Sequence, residues 1–260
     1  MSTHAEQNAR ILAQFAQQAE RYAELVAAQT KDKTLPLVLD ALRPMPEHRV
    51  LDVGCGVGNA AVTLAPLVAH VTGVDLTPAM LEKARELQAK SGLANMEWLE
   101  ADVTGLPFAN GAFDIVTSRA MLHHVSNPAK VVAEMKRVCA PSGRLMVMDM
   151  TPAPEKAAAF NAIEILRDPS HARALTATEL RLIGSELGLT EITFHQYATR
   201  LPIEAVLATS FPGPGMIDRI RDLYRMDAAQ GGDALGFGAR FDDGVLTASY
   251  PMTMLAWRLS

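Results

Sequence analysis

The run Val50-Leu51-Asp52-Val53-Gly54-Cys55-Gly56-Val57-Gly58-Asn59 decides the fold. A short strand, apolar but for Asp52, feeds a loop with glycine at every second position, and that loop opens a helix. Backbone can then approach a ligand closely, with helix N–H groups facing it. The spacing of Gly54, Gly56 and Gly58 is one residue short of the G-x-G-x-x-G that seats a dinucleotide pyrophosphate. A nicotinamide-dependent oxidoreductase, the rival enzymatic reading, loses ground on that spacing and on the lack of a Tyr-x-x-x-Lys. A tight strand-to-helix turn without a ligand is the plainer alternative.

Downstream, His70 to Val74, Met96 to Leu99, Phe113 to Thr117 and Leu145 to Met148 are apolar runs of strand length separated by helical periodicity. Continuous apolar runs suit parallel strands covered on both faces, which predicts an α/β, doubly wound, Rossmann-like sheet. Thr77-Pro78 and Asn127-Pro128 each offer a capping side chain before a proline at the first helical position. Upstream, Ile11, Phe15, Ala19, Tyr22 and Val26 form the stripe of an amphipathic helix over residues 8–29. A second helix over Leu35 to Leu42 is stopped by Arg43-Pro44-Met45-Pro46. Residues 1–47 thus read as a helical cap on a domain spanning 48–260. Thr151-Pro152-Ala153-Pro154, a helix from Glu155 to Arg167 and Pro169 mark an insertion at about 151–175. A helix from Thr178 to Leu187 and a strand from Thr190 to Tyr197 resume the alternation. A second insertion, around one helical segment, fills about 200–245 before a last strand from Tyr250 to Leu259.

The 260 residues are 49% hydrophobic and 20% charged, a globular composition, and the net charge of −5 supplies no field to gather phosphate backbones or anionic lipid. No nucleic-acid or membrane partner is expected. No run approaches the ~20 apolar residues that span a bilayer, and Met1 to Gln7 lacks the apolar core of a secretory signal, so a cytoplasmic location is expected. Cys55 and Cys139 form neither a disulfide framework nor a zinc motif.

Asp75 ends the strand after the glycine loop, where a carboxylate can accept both hydroxyls of a ribose or simply cap a helix. It supports an adenosine-containing ligand without choosing which. Asp102 follows the third strand; with the next backbone N–H it could read an adenine edge, or it could be a turn aspartate. His123 and His124 are adjacent, so their rings should diverge and cannot share a metal; no metal site is expected. One could face a substrate as a base, the other account being packing near the sheet edge. Arg167, Asp168, His171 and Arg173 read as a corner around Pro169 held by surface pairs. Arg219, Arg221 and Arg225 alternate with Asp218 and Asp222 as a solvated helix face.

Leu51-Asp52-Val53-Gly54-Cys55-Gly56-Val57-Gly58, Asp75, Leu106-Pro107-Phe108, Phe113-Asp114, and Arg137-Val138 through Pro141-Ser142-Gly143 together resemble class I S-adenosylmethionine-dependent methyltransferases. The likeness covers residues 49–150 and is nearest to the group related to ubiquinone and menaquinone biosynthesis C-methyltransferases. Residues 163–173 resemble an insertion of bacterial members of that group. The resemblance implies an antiparallel last strand and S-adenosylmethionine as the cofactor. It implies that Gly54, Gly56 and Gly58 line the methionine moiety and that Asp52 anchors their loop. Asp75 would hold the ribose, Leu76 pack on adenine, and Asp102 with Val103 read the adenine edge. Arg119 would sit near the methionine end, and Tyr22 would contact the pocket from a lid helix. Where the family favours a second glycine, this chain has Ser142, in what reads as a turn before a strand. The activity implied is methyl transfer to a small-molecule acceptor by direct displacement, with His123, His124 and His171 as candidate bases where the nucleophile carries a proton. A regulatory S-adenosylmethionine-binding protein that has lost catalysis would carry the same motifs.

Overall fold

The computed structural model describes residues 3–27 and 34–259. In chain order the elements are α1 (His4–Ala27), α2 (Leu35–Leu42), β1 (Arg49–Val53), α3 (Asn59–Leu64), β2 (His70–Asp75), α4 (Pro78–Ser91), β3 (Met96–Glu100), β4 (Phe113–Arg119), α5 (Pro128–Val138), β5 (Cys139–Met150), α6 (Ala157–Arg167), α7 (Ala177–Glu186), β6 (Thr190–Pro202), α8 (Ile203–Ala208), α9 (Met216–Gln230), β7 (Arg240–Asp242) and β8 (Val245–Arg258). Short 3-10 turns lie at Ala65–Leu67 and Leu122–His124.

The sheet order is β3-β2-β1-β4-β5-β8-β6, with β7 also on β8. Pairs among β1 to β5 are parallel, whereas β8 runs antiparallel to β5, β6 and β7. This is the doubly wound α/β sheet with the antiparallel last strand. Because side chains alternate across a strand, Leu51, Val116 and Leu145 face one core with α5, α7 and Trp257. Val50, Ile115 and Met146 face the other, under α2 and α3. A third cluster, built on Phe160, Ile220, Tyr224 and Phe237, holds α6, α8, α9 and the outer part of β8 together. Strand order reverses between β1 and β4, and the crevice at the carboxyl ends there is where ligands bind in open α/β sheets.

Local details depart from the sequence reading. The leading helix starts at His4, four residues early; residues 28 and 29 and the Val26 side chain lie outside what is described. Pro141-Ser142-Gly143 is not a turn before a strand but part of β5, which begins at Cys139. There the pairing slips from Phe113 opposite Cys139 to Ile115 opposite Arg144, and Ser142 takes a φ of +63°, a glycine-like conformation. Gly143 follows because a Cβ would lie 2.8 Å from the carbonyls of Ala140 and Asp114. Thr77 sits at the start of α4, but its hydroxyl accepts no N–H from the helix's first turn. Asn127 does cap α5, accepting the Lys130 N–H at 3.0 Å. Residues 200–245 hold two helices and a short strand rather than one helix.

Candidate functional site

Gly54, Gly56 and Gly58 carry φ of +69°, +51° and +86°, so the loop after β1 bends in a way L side chains resist. A Cβ on Gly54 would also lie 2.3 Å from Met121 Cγ. The N–H groups of Gly54 and Cys55 both donate to the Val74 carbonyl at 2.9 Å, tying the loop to β2. Asp75 completes the tie, its Oδ2 accepting the Gly56 N–H at 2.9 Å. That bond escaped the sequence reading, which offered Asp75 a ribose or a helix cap; rather than capping α4, its Oδ1 accepts the N–H of Thr77, two residues on, in a local turn. Burial raises the Asp75 pKa against these donors. Asp52, on β1, is 2% exposed and its Oδ2 has no hydrogen-bond partner. Burial lifts its carboxyl to about 7, opposed by the Arg119 charge and reinforced by Asp75. Ser118 Oγ, near the end of β4, is likewise buried without a partner.

Helix α1 lies across this end of the sheet. Phe15, Ala19 and Tyr22 pack with Val57 of the glycine loop and Met80 of α4. Half-buried Tyr22 lies within electrostatic reach of Arg119 and Asp75. Farther up the helix, His4 Nε2 and Asn8 Nδ2 each lie 2.7 Å from Asp102 Oδ2, while Asp102 Oδ1 accepts from the Thr104 N–H and hydroxyl. Those donors outweigh partial burial and hold the Asp102 carboxyl down at about 2. Leu76 is half-buried and Val103 is in the core. Of the residues the sequence offered for cofactor contact, Asp52, the glycines, Asp75, Leu76, Asp102, Val103 and Arg119 lie on or just past β1 to β4, and Tyr22 on the helix packed against the glycine loop. The sequence reading missed His4 and Asn8, whose only sequence signal is their place on the polar side of an amphipathic helix.

The three histidines form a buried group. The 3-10 turn after β4 brings the His123 and His124 rings to a centroid separation of 4.1 Å, so they do not diverge, and both are buried beside the carboxyl edge of the sheet. His171, 4% exposed, has its ring 5.5 Å from that of His123. His123 Nδ1 bonds Asp149 Oδ1 at 2.6 Å, from the end of β5. His124 Nδ1–H donates to Ser170 Oγ at 3.1 Å, and that hydroxyl donates to Asp168. His171 Nε2–H donates to Asn161 Oδ1 at 2.7 Å. Helix α1 reaches this group as well: Gln7 donates to the carbonyls of His124 and Ser170 at 2.7 Å, and Phe15 meets the His124 ring edge-on. Burial, then the neighbouring His123 charge, pushes the His124 and His171 pKa values far down.

The corner around Pro169 is a surface pairing only at Arg173, which meets Glu179 on the exposed side. Asp168, Ser170 and His171 are all buried, and Arg167 grips the fully buried Glu164 through three contacts of 2.6 to 3.2 Å. The pairs of Arg221 with Asp218 and Arg225 with Asp222 on α9, by contrast, are on the solvent side as read. Among the described residues no group of His, Cys, Asp or Glu is arranged to hold a metal ion, and no helix is long and apolar enough to cross a membrane.

Residues 51–147 match a methyltransferase domain family. The uncharacterized methyltransferase YcgJ of Bacillus subtilis is 37% identical over 175 residues, which are 66% of this chain and 68% of that one. The demethylmenaquinone methyltransferase of Thermus thermophilus is 40% identical over 119 residues, 45% of this chain, and the match spans only 53% of that enzyme. Among solved structures, YcgJ superposes with a TM-score of 0.79 at 24% identity, covering 87% of this chain and 97% of its own. The Bacillus halodurans protein BH2331 does so at 0.79 and 26%, covering 87% and 99%. With the glycine loop of β1, the acidic end of β2 and the antiparallel β8 all present, the chain belongs to the class I methyltransferase family, whose members use S-adenosylmethionine.

Proposed function

We propose that this methyltransferase acts on a small-molecule acceptor by direct in-line displacement, with S-adenosylmethionine held by the carboxyl edge of β1 to β4. The observation that carries the reading is the left-handed glycine loop that follows buried Asp52 and is hydrogen-bonded to half-buried Asp75. The residues fit such a group. Asp52 Oδ2 and Ser118 Oγ are buried polar atoms with no hydrogen-bond partner among the described residues, and Gly54 and Gly56 keep backbone where a side chain would intrude or strain the loop. Asp75 would take the ribose hydroxyls, Asp102 and the Val103 N–H the adenine edge, Leu76 the ring face, and Asp52, Arg119 and the glycines the methionine end, with Tyr22 covering it. The bound sulfonium supplies an already activated methyl group. The chain's own work is then to orient the acceptor and exclude water, and orientation of this kind can contribute as much as ~7 to 11 kcal/mol of a barrier. Helix α1 does the excluding, since its bonds to Asp102 and its packing on Val57 close the same edge.

S-adenosylhomocysteine should raise the melting temperature with increasing concentration, because it binds the native state alone, while NAD and NADP should not. A shift with NAD and none with S-adenosylhomocysteine would refute the reading. Hydrogen exchange supplies a second expected outcome. Residues 4–27 should exchange faster than the strands from 49 to 150 without ligand, and should slow when S-adenosylhomocysteine binds. Equal exchange with and without ligand would leave α1 a fixed part of the wall rather than a lid.

A further inference from the structure

Resting on the methyl-transfer reading above, we propose that the histidine group is the acceptor site, with His123 the base, Asp149 the residue that positions it, and the acceptor an O–H acid of phenolic or enolic type. Four observations lead there. His123, in the turn just past the carboxyl end of β4, and Asp149, near the carboxyl end of the adjacent β5, meet at one edge, with Met121, two residues before His123, the side chain closest to where a Cβ on Gly54 would be. The Nδ1–H···Oδ1 bond of 2.6 Å fixes the imidazole so that neutral His123 keeps its lone pair on Nε2. The other two rings are committed elsewhere, His124 to Ser170 and His171 to Asn161, and neither has a carboxylate of its own. Two buried acceptor atoms in the group, Asp149 Oδ2 and His171 Nδ1, have no partner, a deficit that a donor on a ligand would fill.

A small void of about 10 Å³ adjoins the pair; besides His123 and Asp149 it is bounded by Leu122, Met150, Leu175 and Leu180, with Thr151 the one further polar side chain, so most of the wall beyond the pair is apolar. In the step, Nε2 takes the acceptor's hydroxyl proton, the freed electron pair on the acceptor forms the bond to the methyl carbon, and the carbon–sulfur pair stays on sulfur. The imidazolium is held against Asp149 until it returns the proton to solvent. Amines, which present a lone pair once neutral, gain little from such a base. The groups facing His123 are Asp149 from β5, His124 beside it, Glu164 from α6, and Asp168 and His171 from the corner loop. Burial lowers the His123 pKa, but Asp149, Glu164 and Asp168 outweigh it and carry the value above that of an ordinary histidine.

The test uses the full chain, labelled S-adenosylmethionine, and three probe acceptors: a series of phenols of graded acidity, dimedone, and benzylamine. Label should enter the phenols or dimedone and not benzylamine, at a rate rising with pH through one ionisation above the ordinary histidine range. His123→Gln should lose 100-fold or more of that rate, in line with the 10²–10⁴-fold typical of a general base, and keep its S-adenosylhomocysteine affinity. Asp149→Asn, which is isosteric, should slow transfer and move the ionisation to lower pH, since burial then acts on His123 with less opposition. Imidazole ¹⁵N spectra should show the His123 Nδ1–H in the wild type and its titration displaced in Asp149→Asn, a readout independent of turnover. Full rate in His123→Gln, an unmoved titration in Asp149→Asn, transfer to benzylamine alone, or no transfer to any probe by a protein that binds S-adenosylhomocysteine would each overturn the assignment. Failure to bind S-adenosylhomocysteine at all would instead overturn the methyl-transfer reading beneath it.

Discussion

Arg167→Ala should cost ~3 to 5 kcal/mol of stability, because removing one partner of a buried ion pair leaves the other charge uncompensated. Glu164 is fully buried, and the guanidinium makes three hydrogen bonds to its carboxylate while also reaching Ser210 Oγ at 3.1 Å. At roughly 2 to 4 °C per kcal/mol for a chain of this size, the melting temperature should fall by roughly 6 to 20 °C. The pair lies among Phe160, Tyr224 and Tyr250, so water cannot reach in to solvate the stranded carboxylate without opening the cluster that holds α6 to α9. Replacing both partners, as Glu164→Leu with Arg167→Met, should recover most of the loss, since apolar residues of similar volume remove the uncompensated charge. A double variant no more stable than Arg167→Ala would show that packing, not charge, is what the arginine supplies.

Asp75→Ala should weaken S-adenosylhomocysteine binding by roughly tenfold to a hundredfold, the worth of a charge-assisted hydrogen bond at ~1.5 to 3 kcal/mol. Two effects combine: the ligand loses an acceptor, and the Gly56 N–H loses the oxygen that holds the loop, at 2.9 Å. Asp75→Asn should not restore binding. Whichever way the amide turns, its NH2 opposes the N–H of either Gly56 or Thr77, so one donor faces another. Calorimetry finding unchanged affinity in a folded Asp75→Ala protein would remove this residue from the ligand site and, with it, the register assigned to the glycine motif.

These two residues mark the limits of what the sequence can say. Asp75 was legible as a site candidate because its position follows from local order: strand, glycine loop, strand, acid. The same holds for Asn127, whose cap is made three residues away. Glu164 and Arg167 stand three apart on a helix, a spacing that serves a solvated pair as well as a buried one. Their burial is decided by α9 and β8, which arrive from residues 216–258. His123 was a candidate, but its carboxylate is 26 residues away on a different strand and carries no spacing signature. The Ser142 kink was misread as a turn because a slip in strand pairing and a chain reversal draw on the same Pro, Ser and Gly vocabulary.

The position of β8 between β5 and β6 has a consequence for how the chain is made. A polypeptide emerging from the ribosome delivers β1 to β5 as a sheet whose neighbours are all in hand, so that half can assemble while synthesis continues. Strand β6, thirteen residues long, then waits without a hydrogen-bonding partner until residues 245–258 follow it out. During that interval two open strand edges coexist on one nascent chain, the state in which β proteins most readily pair with the wrong neighbour. Strand β8 is therefore the bolt of the sheet, and the time between translating β6 and β8 is the interval in which the edges of β5 and β6 stand open together.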